Sequence, residues 1–301
     1  MDQMASENEQ LRQAAPRDSA MMLAALGILA YAASMMTHEA LGHGVYCLAA
    51  GGRNVMLTAW RESCDFPGVH GSGIEAAGLG VQFGAGLLAW LVLYLLYPDA
   101  TRLRYFFWLY MVFNMLVSFG YVAFSGVTDF GDAAVIIAGL HPHIVWRAGL
   151  ILLGSSVYFL SMRAAALELK RFAGLDDGNR RLFHLVWIPY ATAGVFACCT
   201  GALNRTMGHG AAIGLAAASS FGGGLGILSL PAMQRGMASK GRSPTVYLNW
   251  SAAWGVVAAV VIVVFLFYNS GTPAHRIADR HGLGRLPPPR VCHRAPSLQR
   301  A

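Results

Sequence analysis

The sequence predicts an all-α polytopic membrane protein of about seven transmembrane helices, with a metal site between the first and the third. Three observations predict it. Of 301 residues, 55% are hydrophobic and only 12% are charged, against roughly 25% charged in soluble domains; the mean hydropathy is +0.47. Several apolar runs exceed the ~18 residues that cross a bilayer. Two histidines and a glutamate lie inside the first run, where ionisable groups are costly and mark functional sites.

The order of segments follows from composition. Residues 1–19 form a polar arm, and the apolar run after it is too long for a signal peptide, so no cleaved targeting segment is expected. The first span covers about Ser19 to Ala50 and stops at Gly51-Gly52, as helices often do. A polar loop follows, with a β-like stretch over Asn54–Trp60 broken by Cys64-Asp65-Phe66-Pro67-Gly68. The second span, about Gly73–Tyr97, carries Gly78, Gly80, Gly84 and Gly86. Small residues of this kind let transmembrane helices approach closely, so this span should pack hard against the first. Glu75 and Gln82 within it read as interface polar groups. The third span, about Tyr105–Phe124, contains Asn114 and ends in Asp129-Phe130-Gly131-Asp132.

The segment Ala133–Leu140 is too short to cross and reads as re-entrant. Further spans fit about Ile144–Met162, Leu182–Leu203, Gly210–Met233 and Val246–Tyr268. The organisation is therefore an arm over 1–19, a core over 20–140, additional spans over 141–268 and a disordered tail over 269–301.

The net charge of +7 does not indicate nucleic acid. Six arginines fall in the tail and most other basic residues flank apolar spans, where they report topology. Outside the tail, basic residues gather on the side of the N-terminus, which the positive-inside rule places in the cytoplasm. The five cysteines are odd in number and lack a CxxC pattern, so they read as packing residues without a disulfide framework. Arg outnumbers Lys, and Ala and Gly are abundant, a composition that fits the plasma membrane of a GC-rich bacterium.

The stretch Thr37-His38-Glu39-Ala40-Leu41-Gly42-His43-Gly44 carries the chemistry. A His-Glu pair with a second His one turn later is the pattern in which two imidazoles hold a metal and the glutamate activates water. Here three residues, not two, separate Glu39 from His43. On a regular helix, positions four apart lie about 40° from each other and positions five apart about 140°. Both rings reach one metal only if the turn is widened. A π-bulge would do this by absorbing one residue, and Gly42 makes it plausible. Topology supplies a third ligand. The cluster sits in the far half of the first span, and Asp129 and Asp132 lie at the same end of the third. Either carboxylate would complete three protein ligands with a fourth position open for water.

With these residues in view, the chain resembles the site-2 protease-like intramembrane zinc metalloproteases over about residues 25–140. The matching features are His38-Glu39…Gly42-His43, Gly51-Gly52-Arg53, Ala76-Ala77-Gly78, Phe113-Asn114 and the following aspartates. Two features depart from that family: the extra residue between the histidines, and the lack of its Asn-x-x-Pro…Asp-Gly pattern. The resemblance implies that His38, His43 and Asp132 hold Zn²⁺, with Asp129 as the alternative ligand. Asp132 is favoured because it follows Gly131 and opens an apolar helix. It implies further that Glu39 is the general base, that Asn114 steadies the substrate or the oxyanion, and that the substrate is a transmembrane or membrane-adjacent protein. The alternative is a catalytically inactive relative acting as a membrane regulator or transporter, which the widened histidine spacing favours.

Overall fold

Long apolar segments fold as helices in a bilayer because a helix satisfies every backbone N–H and C=O within itself. The computed structural model describes residues 18–66, 72–97, 100–172, 179–204, 206, 208–235 and 247–269. The expected arm, apart from Asp18 and Ser19, and the expected tail, apart from Asn269, lie outside these residues.

In chain order the structure comprises α1 (Ala20–Met36), a π-helix (Thr37–Gly44) and α2 (Val45–Ala49), which together make one continuous first span. A hairpin of β1 (Arg53–Leu57) and β2 (Glu62–Asp65) follows, then α3 (Gly73–Leu95), α4 (Thr101–Thr128), the short α5 (Asp132–Ile137) and α6 (His143–Leu169). Beyond these come α7 (Asn179–Ala202) and α8 (His209–Ala217). A second π-helix (Ala218–Gly223), a 3₁₀ turn (Leu225–Ser229) and α9 (Leu230–Arg235) continue α8, and α10 (Ala252–Asn269) ends the described chain.

Among the described residues, six helices are long and apolar enough to cross a membrane: Ala20–Ala49, Gly73–Leu95, Thr101–Thr128, His143–Leu169, Arg180–Ala202 and His209–Gln234. The seventh expected span corresponds to the shorter apolar helix Ala252–Phe267. The chain is thus an all-helical integral membrane protein apart from its hairpin. The 133–140 segment makes only α5 and does not cross.

α4 is the central post. Tyr105, Trp108 and Phe113 on it are almost wholly buried, and Trp108 Nε1 donates to the Ala165 carbonyl of α6 at 3.1 Å. Leu88, Leu91, Val256 and Val263 remain exposed on outer faces, where lipid replaces water as solvent.

Polar contacts fix which termini share an end. Asp18 pairs with Arg181 at 2.7 Å, and Arg102 donates to the Asn249 carbonyl at 3.0 Å. At the opposite end Trp60 Nε1 donates to Thr200 at 3.2 Å, and the Ala59 N–H donates to Asn269 at 3.2 Å. The hairpin and the start of α5 therefore share an end with the C-terminal end of α10, and Asp18 with the start of α1 lies at the other.

The glycine-rich face of α3 meets the first span where that span widens. A Cβ on Gly42 would lie 2.6 Å from Gly78 Cα, so the two backbones touch there with nothing between them.

Candidate metal centre

The first π-helix resolves the spacing problem posed by the sequence. Across Thr37–Gly44 each turn holds one more residue than an α-turn, and positions five apart return to the same face. His38 Nε2 and His43 Nε2 consequently lie 3.1 Å apart, with the ring planes at 88°.

Asp132 is carried in from α5. Gly131, at φ 94°, turns the chain with a backbone conformation that favours glycine, and Asp132 is the first helical residue after it. Its Oδ2 stands 3.1 Å from His38 Nε2 and 3.4 Å from His43 Nε2. Donors about 2.0–2.2 Å from a tetrahedral centre sit roughly 3.3–3.6 Å from each other. The three atoms thus form a triangle close to one face of such a tetrahedron, with its fourth vertex open.

Tautomers sharpen the fit. His43 Nδ1 lies 2.7 Å from the Ile74 carbonyl, which can only accept, so Nδ1 carries a proton and Nε2 presents a lone pair. His38 Nδ1 faces Gln82 Oε1 at 3.2 Å, while Gln82 Nε2 donates to Ser34 at 3.3 Å. His38 Nε2 therefore presents a lone pair as well. Two imidazole lone pairs and a carboxylate oxygen converge, an arrangement that a metal cation or shared protons reconcile. Burial opposes ionisation of Asp132, yet hydrogen bonds and charge from His38 and His43 hold its carboxyl well below the usual range.

Glu39 lines the same cavity, of about 790 Å³. The hairpin forms the cavity roof, with Trp60, Glu62 and Phe66 facing in. Leu215, Ser219 and Gly223 from α8 and the second π-helix make the far wall. Glu39 thus shares a reactant-sized cavity with the three converging donors.

Four residues named from the sequence come together here: His38, His43, Asp132 and Glu39. Two do not. Asp129, the alternative ligand, caps α4 in a left-handed conformation, accepts from His143 Nε2 at 3.0 Å and has Arg147 at 3.9 Å. A carboxylate already paired to two cationic or donor groups is drawn away from the histidine pair. Asn114 is fully buried, donates to the Tyr110 carbonyl at 2.7 Å and does not line the cavity. Its side chain packs beside Gly86 as a helix-interface group.

Other residues escaped sequence reasoning. Gln82 looked like an interface group and is one, but its partner is His38, one of the two converging histidines. Glu62 reaches the cavity only because the hairpin folds back over it; burial, followed by the nearby Glu39 charge, raises its carboxyl above the ordinary range. Tyr121 lines the same cavity, its hydroxyl packed against Gly131. The expectation that the cysteines only pack is overturned for two of them: Cys47 and Cys64 form a disulfide. Their separation of 17 residues gave no motif, and only the hairpin brings them together. Cys198 and Cys199 are free, and Cys292 lies outside the described residues.

Compared with known proteins, the chain matches no family model, no curated sequence and no solved structure.

Proposed function

We propose that the chain is a membrane-embedded zinc metallopeptidase that hydrolyses a peptide bond in or beside the bilayer. The observation that carries this reading is the convergence of His38 Nε2, His43 Nε2 and Asp132 Oδ2 at 3.1–3.4 Å, next to Glu39 and a reactant-sized cavity. Two imidazoles and one carboxylate with an open position form a zinc-type catalytic donor set.

When bound, Zn²⁺ would supply a water molecule whose pKa is lowered toward 7. His38, His43 and Asp132 would hold it, while Gln82 and the Ile74 carbonyl keep both rings in the ligating tautomer. Glu39 would take the proton from the attacking water and return it to the departing amine as the C–N bond breaks. The substrate is a transmembrane or membrane-adjacent polypeptide, and the composition supports a bacterial plasma membrane as its setting. The extra residue that favoured an inactive regulator or transporter is absorbed by the π-turn, so it no longer separates the histidines.

The test uses purified full-length protein, a metal analysis and a dye-labelled unfolded polypeptide in detergent micelles. About one zinc per chain and measurable cleavage are expected, with Glu39→Gln keeping the zinc and losing cleavage. A wild-type protein that takes up no zinc, or a Glu39→Gln variant cleaving at the wild-type rate, would overturn the reading.

A further inference from the structure

The hairpin over the metal chamber is fastened to the metal-bearing helix at two points. Asn54 Nδ2 on β1 donates to the Gly44 carbonyl at 3.2 Å. Cys64 on β2 is bonded to Cys47, which lies one helical turn after His43. The covalent link is therefore next door to a candidate ligand on one strand of chain and, two residues from Cys64, to the cavity-lining Glu62 on the other.

A disulfide at this place carries information about compartment. Such bonds persist in oxidising compartments and are kept reduced in the cytosol. Closing it removes two electrons and two protons from Cys47 and Cys64, which a thiol–disulfide exchange partner of the oxidising side accepts. Charge leans the same way. At the N-terminal end lie Arg102, Arg104, Arg163, Lys170, Arg171, Arg180 and Arg181, against Arg53, Arg61 and Arg147 at the hairpin end, among the described residues. The six arginines that follow Asn269 in the sequence offset part of this bias, so the disulfide carries the argument.

From this geometry we infer that the β1–β2 hairpin is a disulfide-fastened roof on the non-cytosolic face, and that the chamber takes polypeptide segments presented from that side. The substrate part rests on the peptidase reading above; the orientation does not. One group needs separate treatment: Cys47, Glu62 and Cys64 lie close enough to hold a metal. Sulfurs joined to each other are not thiolates, so in the oxidised protein this is a cross-link and no second metal site.

The experiment uses the full-length chain with Cys198, Cys199 and Cys292 changed to Ser, in sealed right-side-out and inverted membrane vesicles. Each is treated with a membrane-impermeant maleimide, with or without a membrane-impermeant phosphine, and intact mass counts the adducts. The expected result is two adducts in right-side-out vesicles after phosphine, and none without it. In inverted vesicles neither treatment should add label. A Cys47→Ser version of the same chain should gain one adduct in right-side-out vesicles without any phosphine. Labelling confined to inverted vesicles, labelling without reductant, or labelling released by a zinc chelator in place of phosphine would each overturn the inference. None of these readouts depends on peptide cleavage, so an inactive protein with the expected labelling would sink the peptidase reading alone.

Discussion

Gly78 of α3 stands where a methyl group would overlap the His43 imidazole: a Cβ built there lies 3.0 Å from His38 Cε1 and closer still to the His43 ring. One missing side chain thus makes room for both ligand rings at once.

Gly78→Ala is therefore expected to displace the rings while leaving the helices in place. Overpacking of this kind costs about 1–3 kcal/mol, within reach of a folded protein. Zinc content by elemental analysis should fall well below that of wild type, with unchanged helical circular dichroism. Full zinc occupancy would mean the rings have slack that the structure denies.

Gln82 orients the His38 ring, its Oε1 facing Nδ1 at 3.2 Å. Gln82→Leu removes the acceptor from His38 Nδ1, and loss of such an orienting partner lowers metal affinity by about 10–100-fold. Gln82→Glu restores an acceptor and should recover most of the affinity. Competition against a chromophoric zinc chelator measures both; equal affinities for all three proteins would remove Gln82 from the centre.

The two aspartates make opposite predictions. Asp132→Asn takes away a charged donor 3.1 Å from His38 Nε2 and should abolish stoichiometric zinc. Asp129→Asn weakens contacts to His143 and Arg147 and should leave zinc untouched. The reverse pattern in the metal analysis would exchange their roles.

On the proposed reading, zinc and protons compete for the same lone pairs. His38 and His43 hold the Asp132 carboxyl below its usual range against the effect of burial, so the imidazoles take up the protons that zinc would displace. Binding should release protons, and affinity should fall as pH is lowered. Calorimetry in two buffers of different ionisation enthalpy gives the proton count. Heats that do not depend on the buffer would contradict lone pairs shared between metal and proton.

The sequence revealed what depends on composition and topology. The spans could be read because lipid demands long apolar helices, and the alternation of crossings already put Asp132 at the depth of the histidines. Even the widened turn at Gly42 could be anticipated, since two buried histidines had to share a face. What stayed hidden depends on a chain folding back on itself. Glu62 and the Cys47–Cys64 pair meet the site only through the hairpin register, in which Leu57 faces Glu62 and Asn54 faces Cys64. Asp129 stood as the alternative to Asp132, and Asn114 as a polar group eligible for the site; rotation about the helix axis and local partners, invisible in a linear string, sent them elsewhere.

The π-turn at Thr37–Gly44 has one more consequence. It swallows a single inserted residue while keeping the ring positions, so ligand distance counted along the chain no longer tracks ligand distance in space. A pattern written for regular helical turns passes over this centre, whereas one that tolerates an extra residue per turn finds it. Deleting Leu41 would restore two-residue spacing, and a regular helix through His38 and the shifted histidine would present the same pair of rings.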